Sequence, residues 1–331
     1  MKVILSIVLV LLSLFVSSTF AGTYDQTEAI SPFLEQVPYP YPTHEFKLAQ
    51  QGIRVDMVYM DVSPEKGPIG TVLLFHGKNF GSDYWSATIK ELTQAGYRVI
   101  APDQVGFGKS SKPDIAYHFD DLALNTRKLL DHLQIKKVDV IANSMGGMLA
   151  VKFTKLYPKT VHRLILENPL GLEDYRLSIP AQSNANLLKL EMAQTEDSYR
   201  KFMKSYFPTW DAKFERFVEI FVRIQKSPQY LTYARASVQT YQMIAEQGII
   251  EDLPHIQTPT LLIIGQKDRT VFGRRFAPPE AVKALGDFPK LGRMAKNAFP
   301  NAQLVEIEEA GHVPHLDSST EFNHAVLEFL H

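Results

Sequence analysis

Ala142-Asn143-Ser144-Met145-Gly146-Gly147-Met148 decides how this 331-residue chain is read. The apolar run Val138–Ala142 ahead of it predicts a buried strand, and Met145–Tyr157 behind it predicts a helix. A serine between the two, among small residues, matches the pattern G-x-S-x-G, with Ala142 standing where the first glycine is usual. That pattern needs small residues because the serine occupies a strained turn where strand and helix backbones come close. Alanine is a mild departure sterically. The competing reading is a helix-capping serine beside packing glycines. Placement between a buried strand and a helix favours the nucleophile.

Outward from this turn the chain alternates. Thr71–His76, Arg98–Ala101 and Arg163–Leu166 are further short apolar runs, and Tyr84–Gln94 and Phe119–Leu133 carry helical patterns between them. Such runs, bounded by turns and separated by helices, imply parallel strands buried on both faces. Right-handed crossovers then gather the loops that follow the strands at one edge of the sheet. The alternation stops after Pro169, and from Leu172 to Leu253 no strand pattern appears. Tyr199, Phe202, Met203, Tyr206, Phe207 and Trp210 fall instead at helical spacing, as do Phe214, Phe217, Val218, Phe221 and Val222. Most of these side chains are expected to pack against a core, one or two to face a cleft. Phe214–Ile224 lacks the basic face of a helix that lies on lipid. Strands resume at Leu261–Ile264 and Leu304–Ile307, and the last helix opens on Ser318 and Glu321 as a capping box. Upstream, Glu45–Ala49 and Ile53–Val62 read as strands joined by a turn at Gln50-Gln51-Gly52. Gly22–Tyr41, with Pro32, Pro38 and Pro40 and little periodicity, reads as an extended arm.

A serine needs a base, and the base needs a group that orients it. Leu261–Ile264 leads to Asp268 and Leu304–Ile307 leads to His312, which puts both at the edge that carries Ser144. The order Ser, Asp, His along the chain is one of the known arrangements of such a set. His315 competes with His312, but Gly311 allows the tight turn that aims His312 inward. Glu167 and Asp103 also stand near strand ends and rival Asp268. Asp103 is expected to hold the loop Gln104–Ser111 through backbone bonds, His76 to brace its own loop, and His315 to serve as a supporting or packing residue.

These segments together resemble the α/β-hydrolase superfamily, and a capped serine hydrolase within it. The resemblance rests on FHGKNFG (75–81), APDQVGFGKSSKP (101–113), ANSMGGM (142–148), NPLGLED (168–174), IIGQKDRT (263–270) and EAGHVPH (309–315). It implies a mainly parallel, eight-stranded α/β sheet with a helical lid inserted after the sixth strand. It thereby divides the chain into an arm at 22–43, a hydrolase core at 44–171 and 254–331, and a lid at 172–253. FHGKNFG resembles the His-Gly loop of these enzymes, so the backbone N–H groups of Lys78 and Met145 are the implied donors to an oxyanion. The Lys78 side chain is expected to lie in solvent. The stretch from Val271 to Ala298 is longer than the shortest members need, and the resemblance gives it no role.

Ser144 at the turn argues against branches that use an aspartate nucleophile. Attack on an acyl carbon remains, and esters need the least activation. Lactones, thioesters and a carbon–carbon bond next to a ketone are alternatives on the same residues, as is a non-catalytic binding protein. No metal, cofactor-binding residue or cofactor is called for, and the expected partner is a small acyl compound with an apolar acyl group. With 35 Lys+Arg against 36 Asp+Glu the net charge is −1, which gives no footprint for nucleic acid. The 45% hydrophobic and 21% charged fractions are those of a folded globular chain. Absence of cysteine excludes thiol chemistry and disulfides. Met1–Ala21 has a basic start, an apolar run over Val3–Val16 and small residues before a cleavage point, the pattern of a secretory signal peptide. That run falls short of the roughly 20 residues a membrane-spanning helix needs, so an exported, periplasmic or secreted protein is expected.

Overall fold

The computed structural model describes residues 28–331. The expected signal segment and the first residues of the expected arm lie outside that range. Eight strands form one sheet: β1 (Thr43–Gln50), β2 (Ile53–Val62), β3 (Gly70–Phe75), β4 (Tyr97–Pro102), β5 (Val138–Asn143), β6 (Val161–Glu167), β7 (Thr260–Gly265) and β8 (Ala302–Ile307). Their spatial order is β1-β2-β4-β3-β5-β6-β7-β8, with β1–β2 and β2–β4 antiparallel and every other pair parallel. This is the mainly parallel, eight-stranded sheet that the resemblance implies.

Strands β5 and β7 are buried at every position, as parallel strands covered on both faces must be. Side-chain alternation divides the core between the two faces. Leu73, Phe75, Val140 and Ala142 point to one face, Val72, Leu74 and Ile141 to the other. The first face is covered by α2 (Phe119–His132), α3 (Met145–Leu156) and α9 (Phe288–Ala298). The second is covered by α1 (Ser86–Gln94) and α11 (Ser319–Leu330). The segment 271–298 thus has a place in the fold, since α9 packs on the sheet beside β7 after the short helix α8 (Pro279–Ala284). At the edge, β8 keeps Gln303 and Glu306 toward water, which discourages pairing with another chain.

Between β6 and β7 the chain forms α4 (Asn184–Met192), α5 (Glu196–Lys204), α6 (Glu215–Gln225) and α7 (Tyr230–Glu246), with no strand among them. Phe217, Val218 and Phe221 join the core cluster of the second sheet face, in line with a packing role for most of this aromatic set. No helix among the described residues is long and apolar enough to cross a membrane.

Two local expectations are corrected. The helix expected from Tyr84 begins instead as a 3-10 turn over Ser82–Trp85, and α1 proper starts at Ser86. The capping box at Ser318 does not form: a short helix α10 (Pro314–Asp317) already precedes α11, and the Ser318 side chain makes no capping bond. A serine caps from extended backbone, and Ser318 at ψ 46° does not supply it. The described residues of the arm are packed against the rest of the chain. Ile30, Leu34 and Val37 are buried with Ile224, Tyr230 and Ala234 of α6 and α7. Ile30 N–H donates to the Arg223 carbonyl at 3.2 Å, and Tyr39 Oη donates to Asp103 Oδ2 at 2.7 Å. The arm therefore joins the inserted helices to the sheet's loops.

Candidate active site

Strand β5 runs into helix α3 through a single residue, Ser144, whose backbone sits at φ 57° and ψ −121°. A non-glycine residue at positive φ is strained, and such strain persists only where the surroundings hold it. Gly146 shows why small residues surround the turn: a Cβ there would come within 2.5 Å of the Phe75 carbonyl oxygen. Ala142 is fully buried with ordinary strand pairing to Phe75 and Leu166, so the departure from glycine carries no backbone cost.

The structure brings Ser144, His312 and Asp268 into one chain of hydrogen bonds. Ser144 Oγ lies 2.9 Å from His312 Nε2, and His312 Nδ1 lies 2.7 Å from Asp268 Oδ2. Asp268 Oδ1 is held by the Thr270 N–H at 2.8 Å, which aims its other oxygen at the imidazole. The arrangement suits a neutral imidazole with its proton on Nδ1 and its Nε2 lone pair toward the serine. Exposure is 5% for Ser144, 2% for Asp268 and 1% for His312, so the chain of bonds is shielded from water.

The loop that carries His312 is fixed from several elements. Its N–H donates to the Tyr206 carbonyl at 2.8 Å, and the Tyr206 ring stands 4.7 Å from the imidazole. Asn143 Nδ2 donates to the His312 carbonyl at 3.1 Å, and Asn168 Nδ2 to the Gly311 carbonyl at 2.6 Å. Asp317 Oδ2 accepts the Gly311 N–H at 2.8 Å, while its other oxygen is buried without a partner. Burial accordingly pushes the Asp317 carboxyl up to about 7.

The rivals occupy other posts. Glu167 accepts from His315, with 2.7 Å between Oε2 and Nδ1 and 2.6 Å between Oε1 and the backbone N–H. The His315 ring stacks on Trp85 at 3.8 Å, so it is a packed supporting residue. Asp103 holds the backbone N–H groups of Ser82 at 2.6 Å and Lys109 at 2.7 Å. His76 bonds the Gly77 carbonyl through Nδ1 at 2.8 Å and accepts the Gln104 N–H at 3.0 Å, with burial lowering its pKa.

The loop after β3 runs beside the serine: a Cβ on Gly77 would sit 3.3 Å from the Ser144 Cβ. The Tyr84 hydroxyl ties the two together, accepting the Gly77 N–H at 2.9 Å and donating to Asn143 Oδ1 at 3.2 Å. Lys78 follows Gly77 directly, and Met145 supplies the first N–H of α3, where helical N–H groups have no carbonyl partner in the helix. The Lys78 side chain departs from expectation. Its ammonium is not in solvent but donates to Ser237 O at 3.0 Å, Ser237 Oγ at 3.1 Å and Thr240 Oγ1 at 3.2 Å, all on α7. Burial lowers its pKa to about 8, and the Glu191 carboxylate opposes the shift.

A cavity of ≈ 70 Å³ adjoins this loop. Lys78, Asn79 and Phe80 line one part of it, and Tyr199, Phe217 and Phe221 from α5 and α6 contribute aromatic wall. Ser144 itself does not line the cavity; Asn79, which does, donates to the hydroxyl of Tyr206, the residue whose ring stands beside His312, at 2.8 Å. A groove along the arm, bounded by Glu35–Thr43 and Lys109, contains none of these groups. Among the described residues no group of three or more His, Asp or Glu is placed to hold a metal ion. Tyr206, Asn168, Asp317, Ser237 and Thr240 are the members that sequence reading missed. Asn168 carried a signal as the first residue of NPLGLED, and Tyr206 carried one in its helical spacing, which pointed to packing.

Comparison with known proteins places the site in context. The profile of the α/β hydrolase fold matches residues 70–319. A crystal structure described as "a probable hydrolytic enzyme" from Pseudomonas aeruginosa PAO1 is similar with 40% identity and a TM-score of 0.90, covering 92% of this chain and 99% of that one. Lipase 1 of Psychrobacter immobilis is 28% identical over 261 residues, 76% of this chain and 73% of that protein. The 2-hydroxy-6-oxo-6-phenylhexa-2,4-dienoate hydrolase of Comamonas testosteroni is 27% identical over 279 residues, 80% of this chain and 89% of that protein.

Proposed function

The chain belongs to the α/β-hydrolase family, and from that premise we propose that it is a serine hydrolase of carboxylic esters, with Ser144, His312 and Asp268 as its catalytic triad. The observation that carries the reading is the unbroken series Ser144 Oγ, His312 Nε2, His312 Nδ1, Asp268 Oδ2, with gaps of 2.9 and 2.7 Å. In the first step Ser144 Oγ attacks the carbonyl carbon while its proton passes to His312 Nε2. Asp268 stabilises the imidazolium and keeps the ring in the required tautomer. The oxyanion is held by the backbone N–H groups of Lys78 and Met145, at the places where negative charge develops. His312 then protonates the departing alcohol, and water repeats the sequence on the acyl-enzyme.

The helices of 172–253 act in this reading as a lid, and the aromatic wall of the cavity favours an apolar acyl group. Met1–Ala21 directs export, so the working protein starts at Gly22 in the periplasm or outside the cell. The relatives include both a lipase and a dienoate hydrolase, which keeps carbon–carbon bond cleavage as the second reading on the same triad. Pre-steady-state hydrolysis of p-nitrophenyl esters decides between them. An acyl-enzyme burst with steady turnover is the expected result. Turnover of a vinylogous diketone with little on simple esters moves the reading to carbon–carbon bonds. Tight ligand binding with no turnover of either would make this a binding protein.

A further inference from the structure

The arm that precedes the sheet lies outside the 70–319 match to the family, yet it contributes a side chain to the cavity beside the site. That side chain is Leu34. It is 7% exposed, and it packs in a cluster with Ile224 and Tyr230 of the inserted helices. Around it the wall is apolar, shared with Ile220 and Ile224. The cavity also touches Lys78 and Asn79, which follow the glycine that faces Ser144, so this space borders the loop that runs beside the serine.

The backbone shows that Leu34 is held there rather than resting there. Its φ is 55°, in the left-handed region that a branched apolar side chain seldom occupies. Three hydrogen bonds impose that conformation. Leu34 N–H donates to the Ser31 carbonyl at 3.0 Å, and the Leu34 carbonyl accepts from Val37 N–H at 3.0 Å and from Lys109 Nζ at 2.8 Å. Among the described residues of the arm, Leu34 alone has positive φ, and strained residues collect where a structure must present a group.

We propose that Leu34 is a specificity-determining residue: supplied by the arm, it closes the cavity and sets the length of apolar group that the site accepts. The proposal rests on the ester reading above and adds the element that limits its substrates. A glycine at 34 removes the side chain and relieves the positive φ, while a phenylalanine fills the space further. Each methylene that gains or loses an apolar wall changes kcat/KM by about fourfold.

The test is the ratio of kcat/KM for p-nitrophenyl hexanoate over p-nitrophenyl acetate, in the full chain and in Leu34→Gly and Leu34→Phe. The ratio should rise about tenfold or more in Leu34→Gly and fall about fivefold in Leu34→Phe, with acetate turnover kept within a few-fold. If Leu34→Gly fails to fold, Leu34→Phe decides alone. An unchanged ratio with intact acetate turnover overturns the role of Leu34 and leaves the ester reading standing. No turnover of any ester by the parent overturns the ester reading, and this proposal with it.

Discussion

Two carboxylates stand beside two histidines at the same edge of the sheet, and their partners are sorted by distance. Asp268 reaches His312 at 2.7 Å, and Glu167 reaches His315 at 2.7 Å. Asp268→Asn should therefore lower kcat by about 10⁴-fold, because an amide cannot hold the imidazole in the tautomer the serine requires. Glu167→Gln leaves that bond intact and loosens only the loop behind it, so a loss of about tenfold is expected, with the pH profile of kcat/KM unmoved. Equal losses in the two variants would contradict the assignment. Residue order and strand ends made Ser144, Asp268 and His312 readable before any coordinates. They favour Asp268 over Glu167 and Asp103 without excluding either, because all three leave strand ends of one edge and only side-chain distance distinguishes them. The Lys78 side chain was unreadable for the same reason: its acceptors, Ser237 and Thr240, stand about 160 residues away along the chain.

At the scale of elements, the bond from Lys78 to α7 links the inserted helices to the loop that carries a proposed oxyanion donor. Lys78→Met cuts that link while leaving the backbone N–H in place. A fall in kcat of about tenfold to a hundredfold is expected, with KM nearly constant and most of the loss restored in Lys78→Arg. Unchanged kcat would show that the loop holds its geometry without α7. Asp317, at the end of α10, gives a pH test. Its carboxyl titrates near 4 when unfolded and is raised to about 7 by burial in the folded protein. The folded state thus binds the proton more tightly, and this group's stabilising share is full below pH 4 and lost as pH rises through 7. The melting temperature of Asp317→Asn minus that of the parent should grow between pH 5 and pH 8; a constant difference would contradict the shift. The failed capping box belongs here too. Ser318 and Glu321 have the right spacing, but α10 reaches Ser318 already coiled, and spacing does not report the backbone that precedes it.

Across the whole molecule, the sheet was the most legible feature because its signal is local. Runs of buried apolar residues mark β3 to β7, and the alternating helices between them fix their parallel sense. The arm was the least legible. Ile30, Leu34 and Val37 have no regular period, and their burial comes from contact with α6 and α7 far along the chain. The inserted helices were visible as helices, while their contact with the site through Tyr206 was not. The proposed function rests on one requirement, that Ser144, set in its strained turn beside the fixed histidine loop, is a nucleophile. The direct test is to treat the protein and its Ser144→Ala variant with a fluorophosphonate and to locate adducts by mass spectrometry. A single adduct on Ser144, absent from the variant, is the predicted result. No adduct on the folded protein, or one that persists in Ser144→Ala, would contradict the account.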